Sequence, residues 1–136
     1  MEKPLPMQNS DSVPFWDGCK AGELRYQECT RCRAVQFPPR GFCAACRTPF
    51  PAWKVSSGLG QLASYTVVHR PVTEAFRAET PYIVALVDWQ EGFRTMANLR
   101  NCDPAAAAIG LRVKVLFEPA GDSGVILPQC EPLAGG

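Results

Sequence analysis

Two cysteine pairs, Cys29-Thr-Arg-Cys32 and Cys43-Ala-Ala-Cys46, stand ten residues apart. Two residues between cysteines let both sulfurs of a pair face one centre from a tight turn. A second pair a short hairpin away completes a tetrahedral four-sulfur site. A lone C-x-x-C is shared with redox dithiols, but the doublet at this spacing points to metal. Disulfides within the pairs would each close a loop too short to stabilise the fold. The expected occupant is a structural zinc on Cys29, Cys32, Cys43 and Cys46. A closed four-sulfur shell lacks the open coordination position that catalytic zinc needs. Its role is to keep folded a segment of roughly 25 residues, too short to bury a core of its own.

The remaining composition bounds what surrounds this site. A chain of 136 residues forms one compact domain, or one domain with a small module. Its 46% hydrophobic and 20% charged content is that of a globular protein. The longest apolar runs, such as Ile83-Val84-Ala85-Leu86-Val87, are strand-length and far short of a membrane span. No basic stretch followed by an apolar core opens the sequence, so no secretory signal is expected. Seven cysteines, four of them assigned to metal, leave Cys19, Cys102 and Cys130 as free thiols suited to a reducing cytoplasm.

A net charge of +1 gives no general field for polyanions. Charge is nevertheless concentrated locally. From Arg25 to Arg47 the chain carries Arg25, Arg31, Arg33, Arg40 and Arg47 against Glu28 alone. Four thiolates around one Zn²⁺ carry −2, which offsets part of this excess. The remainder is available to an anionic ligand or a partner surface.

Met1 to Asn9 is a Pro-rich lead without pattern. Ser10-Asp11-Ser12 offers N-caps and Pro14 suits a first turn, so a helix is expected over Val13 to Ala21, ended by Gly22. Leu24 to Glu28 alternates as a first ribbon strand. Val35 to Arg40 is its return, with prolines that suit an edge. Pro49 to Ala52 reads as a linker. From Trp53 the pattern becomes β: Gly58-Leu59-Gly60 as a turn or bulge, then Gln61–His69 as a β-branched run. Tyr82–Trp89 and Phe93–Leu99 form a hairpin about Glu91-Gly92. Asp103-Pro104 caps one helical turn. Leu111–Phe117 is a further strand, and Val125–Leu127 a last short one. Five short strands with one small helical insertion fit a closed OB-like barrel better than a sandwich. The expected fold is mainly β. It divides into a lead and helix (1–24), a zinc ribbon (25–50) and a C-terminal OB-fold barrel with its tail (51–136).

These residues, in order, carry a resemblance. The Phe15-Trp16 helix, Tyr26-Gln27-Glu28-Cys29-x-x-Cys32, Phe37-Pro38-Pro39-Arg40 and Cys43-x-x-Cys46 lead it. Gly58-x-Gly60, Tyr65–His69, Pro81-Tyr82, Glu91-Gly92-x-Arg94, Met96-Ala97-Asn98, Gly110 and Val115-x-Phe117-Glu118 follow. Together, over Phe15 to Pro128, they resemble the acyl-CoA-associated zinc-ribbon/OB-fold family known as DUF35. Near Cys130 the sequence departs from the aromatic residue usual there, which leaves the role of the last residues open.

The resemblance implies an N-terminal helix, a rubredoxin-like zinc ribbon and an OB barrel. It implies a small subunit that assembles with a thiolase-fold catalytic subunit, or with a hydratase-type enzyme. The complex would bind an acyl-CoA thioester, and the partner would supply the catalytic cysteine and histidines. Steroid side-chain aldolases and the benzoylsuccinyl-CoA thiolase are complexes of this kind.

The chain's own residues agree that it is poorly equipped as an enzyme alone. A nucleophilic thiol needs a base within hydrogen-bond reach, and nothing in the sequence places Cys19, Cys102 or Cys130 beside the single histidine, His69. CoA phosphates favour arginines. Arg31, Arg33, Arg40 and Arg47, held on or beside rigid knuckles, are the first candidates, with Arg70, Arg77 and Arg94 behind them. Phe15, Trp16, Phe37 and Phe42 are candidates either for a partner interface or for the seam between helix, ribbon and barrel. Two other readings compete. A nucleic-acid-binding ribbon/OB module would need a basic-aromatic barrel face, which the strands lack. An iron-carrying electron-transfer ribbon would be red.

Overall fold

The computed structural model describes residues 11–69 and 82–133. The Pro-rich lead, Ser10, Arg70, Arg77 and Pro81 lie outside the described residues. The chain opens with α1 (Val13–Lys20), with Ser12 at the N-cap position and a proline in its first turn. Phe15 and Cys19, one helical turn apart, are buried on one face. The helix stops where Gly22 turns to φ +77°. Glu23 N then donates to Gly18 O (2.7 Å) and Gly22 N to Cys19 O (3.2 Å), which satisfies carbonyls the last turn would leave open.

A three-stranded antiparallel sheet follows, built from β1 (Arg25–Glu28), β2 (Val35–Gln36) and β3 (Ala52–Val55) in the order β2-β1-β3. β2 lies at the edge and stops at Gln36, short of the expected Arg40, because Pro38 and Pro39 have no N–H to give to a ladder. β3 departs from expectation. Ala52, read as the end of a linker, and Trp53, read as the start of barrel sequence, instead pair with Glu28 and Gln27 of β1. The reason is β1 itself, whose Tyr26 and Gln27 are both buried. A strand buried on both faces needs neighbours along both edges; β2 takes one edge and β3 the other.

The barrel comprises β4 (Leu59–Val68), β5 (Tyr82–Trp89), β6 (Arg94–Leu99), β7 (Arg112–Pro119) and β8 (Ile126–Pro132), closed in the order β4-β5-β6-β8-β7. A register shift between Leu62 and Ser64 bends β4. Gly60 lies against Asp88 O, where a Cβ would sit 2.6 Å from that carbonyl oxygen. The expected helical turn is a 3₁₀ turn over Pro104–Ala106, capped by the Asp103 carboxylate.

β8 is longer than the three residues expected, because Pro128 and Pro132 masked it. Both share parity with Cys130, whose carbonyl accepts from Arg100 N beside β6. The donors these prolines lack therefore point to the β6 side, where pairing is a single parallel bridge, Leu99↔Cys130. On the other side β8 runs the full length of β7.

One apolar cluster runs through the molecule, from Phe15, Cys19, Leu24 and Tyr26 to Leu62, Val87, Trp89, Phe93 and Val113. Among the described residues no helix is long and apolar enough to cross a membrane.

Candidate metal centre

The four sulfurs of Cys29, Cys32, Cys43 and Cys46 lie within 4.8 Å of one another. Cys29 Sγ and Cys46 Sγ are 3.5 Å apart, and Cys32 Sγ and Cys43 Sγ 3.6 Å. A tetrahedral zinc with Zn–S bonds of about 2.3 Å sets its sulfurs roughly 3.8 Å apart. The donor set therefore fits zinc in both spacing and chemistry. Among the described residues this is the one group of three or more cysteine, histidine or acidic side chains so placed.

The two knuckles are built alike. Cys29 N donates to Ala34 O (2.9 Å) and Arg33 N to Cys29 O (3.1 Å). Cys43 N donates to Thr48 O (2.8 Å) and Arg47 N to Cys43 O (2.8 Å). Each turn aims backbone N–H groups at its first sulfur: Arg31 N and Cys32 N at Cys29 Sγ (3.3 and 3.4 Å), and Cys46 N at Cys43 Sγ (3.4 Å). Each closes on an arginine at φ +66°, Arg33 in one and Arg47 in the other. Cys29 and Cys43 are buried, whereas Cys32 and Cys46 are exposed at the tip.

Four thiols packed this closely do not ionise independently. The Thr48 hydroxyl and backbone N–H favour the Cys46 thiolate and bring it down to about 6. Cys32 also has a backbone N–H, from Ala34, in favour of its thiolate. The neighbouring sulfurs and burial outweigh it and push Cys32 up to about 12. A divalent cation at the centre removes this conflict, because it stabilises all four anions at once.

Arg31, Arg33, Arg40 and Arg47 are all exposed on the ribbon. Arg33 faces Glu28 at 3.7 Å, and among the described residues no ion pair involves Arg31, Arg40 or Arg47. Arg94 is tied to Asp88 at 2.6 Å. Phe15, only 3% exposed, packs edge-on against Trp16 and Phe37 with centroids 5.0 and 5.2 Å away. These aromatics form the seam, so Phe15 presents no surface to a partner. Phe42 is 44% exposed.

Three residues of consequence escaped the reading of the sequence. Phe93, placed there in a strand, is the buried hub that stacks on Tyr26 at 4.9 Å and also meets Phe37 and Trp89. Gln27, 3% exposed, and Gln36 bond to the loop entering the second knuckle. Their signal was present as two glutamines on facing strands, but only the register makes them partners.

Cys19 and Cys130 are buried, and burial pushes both thiols up to about 12, so they stay protonated. Partial burial also raises Cys102. His69 is exposed at the end of β4.

Comparison with known proteins agrees with this architecture. Residues 16–49 match the ChsH2 rubredoxin-like zinc ribbon domain, and residues 53–118 the ChsH2 C-terminal OB-fold domain. A DUF35 domain-containing scaffold protein of Methanothermobacter thermautotrophicus is 36% identical over 107 residues, covering 76% of this chain and 80% of that protein. The 3-oxo-4,17-pregnadiene-20-carboxyl-CoA hydratase alpha subunit of Mycobacterium tuberculosis is 35% identical over 112 residues, 82% of this chain. This chain spans only 35% of that subunit, and 40% of a Thermomonospora curvata relative. Among solved structures, a chain of the Ltp2-ChsH2(DUF35) aldolase superposes with a TM-score of 0.85 at 33% identity, covering 94% of this chain and 98% of that one. The chain belongs to the DUF35 family of ChsH2 type, in which a rubredoxin-like zinc ribbon precedes an OB-fold barrel.

Proposed function

We propose that this chain is a non-catalytic, zinc-binding subunit of a cytoplasmic thiolase-type complex. The complex would act on an acyl-CoA thioester by C–C bond cleavage or formation. The observation that carries this reading is the likeness to nearly the whole of a chain from the Ltp2-ChsH2(DUF35) aldolase. The hydratase alpha subunit among the relatives, named for a CoA-linked substrate, supports the same substrate class.

The geometry supports a subunit that binds and assembles rather than reacts. Four cysteines would complete the coordination shell of a bound zinc and leave no position for substrate. Zinc there supplies folding energy to the ribbon. Cys19 and Cys130 are buried, protonated thiols and poor nucleophiles. The contact surface for the CoA phosphates or the partner consists of Arg31, Arg33, Arg40 and Arg47, with Phe42 and the half-buried Trp16. The outer face of β5–β6 weighs against nucleic acid. OB folds use this face for stacking on bases, but here Leu86 faces Met96 and Val84 faces Asn98, with Met96 70% exposed.

Co-expression with the acyl-CoA enzymes encoded beside it, followed by affinity purification, tests the reading. The chain is expected to retain a thiolase-fold partner, and the partner's C–C activity to depend on it. Replacing Cys102 or His69 by alanine should leave that activity unchanged. Purification without any acyl-CoA enzyme, or loss of activity in those two variants, would overturn it.

A further inference from the structure

Between β2 and the second knuckle the chain leaves the sheet, and the backbone groups of Arg40 and Ala44 have no neighbouring strand. Two side-chain amides take that place. Gln27 Oε1 accepts from Arg40 N at 2.9 Å, and Gln27 Nε2 donates to Arg40 O at 2.8 Å, so one carboxamide pairs with Arg40 as a peptide group would. Gln36 Nε2 donates to Gln27 Oε1 at 2.7 Å and to Phe42 O at 3.1 Å, while Gln36 Oε1 accepts from Ala44 N at 2.8 Å. Arg40, Phe42 and Ala44 are alternate residues, the spacing a real strand would engage. Gln27 and Gln36 face each other across β1 and β2. The pair is thus a fragment of sheet edge made from side chains, ending one residue past the ligand Cys43.

We infer that Gln27 and Gln36 are positioning residues for the metal. They hold residues 40–44 so that Cys43 and Cys46 face Cys29 and Cys32, and thereby set how firmly the ion is retained. Gln27 is buried, so removing its amide takes away the side-chain partners of Arg40 N–H and C=O. No metal ligand is altered by such a change. The inference rests on the reading that the four cysteines hold zinc. Removing a group that bonds a metal ligand directly typically changes affinity on the order of 10- to 100-fold. These glutamines act one step further out, through the backbone of residues 40–44, so an effect of up to about 10-fold is expected.

The test uses zinc-loaded Gln27→Met and Gln36→Met, which keep side-chain volume and lose the amide. The half-buried Gln36 guards against a failure to fold on changing Gln27. Zinc transfer to excess chelator and the visible spectrum of the cobalt-substituted protein are compared with wild type. Val113→Ala, a barrel-core change, serves as a control for general destabilisation. Zinc release faster by up to about 10-fold in the methionine variants, with an altered cobalt spectrum and unchanged release in Val113→Ala, supports the inference. Unchanged release in the methionine variants, or equal acceleration in Val113→Ala, overturns it. A wild-type protein that takes up no zinc would instead overturn the metal reading beneath it.

Discussion

Arg33 and Arg47 close their knuckles in the left-handed region at φ +66°, where a residue with a Cβ is strained by about 1–2 kcal/mol. Glycine has no such strain there. Arg47→Gly is therefore expected to keep zinc and leave stability unchanged or raised by up to about 1 kcal/mol. Arg47→Val should lower it by about 1–2 kcal/mol, since β-branching suits this region worst. Chemical denaturation of the zinc-loaded variants measures both. An Arg47→Gly variant that binds the partner more weakly would place the side chain in the interface. At this scale the cysteines were legible, because a spacing of two residues encodes a local turn. Gln27 and Gln36 were not. Their roles come from a cross-strand register and from a loop that returns to Gln27 only at Arg40, 13 residues on.

Strands were legible where alternation was clean and adjacent in sequence, as in β5 and β6 with their short turn. They were misread where the partner lay elsewhere. Ala52–Val55 is four residues long and does not alternate, and nothing local says which sheet it joins. Pro128 and Pro132 break the strand pattern of β8, although each lacks a donor only toward the nearly unpaired β6 side. Gly58 and Gly60, read together as one turn or bulge, do different work. Gly58 adopts φ +78°, while Gly60 permits close approach of β4 to β5. A Cβ at residue 60 would meet Asp88 O at 2.6 Å and Trp89 at 3.1 Å, and a backbone atom cannot swing aside. Gly60→Ala is expected to destabilise the barrel by about 1–3 kcal/mol, the usual range for overpacking. A smaller shift in the unfolding midpoint would mean that the ladder slides to make room.

The ribbon and barrel act as one body because an aromatic seam and a polar latch join them. The seam is Phe15, Phe37, Tyr26, Phe93 and Trp89, and the latch is Glu91 at the β5–β6 turn. The Glu91 carboxylate accepts from Ser56 Oγ at 2.5 Å and Ser57 N at 2.7 Å, between β3 and β4. Burial alone would raise Glu91, but these hydrogen bonds outweigh it and hold the carboxyl below its ordinary value of 4.5. A lowered folded-state value means the latch contributes fully above pH 4.5 and is lost as pH falls through the folded value. Glu91→Gln should therefore weaken the fold at neutral pH and flatten its acid limb, which denaturation midpoints from pH 7 to pH 3 would record. An unchanged acid limb would place the acid sensitivity elsewhere. The central claim concerns the whole molecule: a zinc-clamped platform that works within another enzyme's complex. Native mass spectrometry of the chain co-purified with its encoded neighbours tests it most directly. The account predicts an assembly of this chain with a thiolase-fold subunit, with one zinc for each copy of this chain. A 14.9 kDa species free of zinc and of any partner would contradict it.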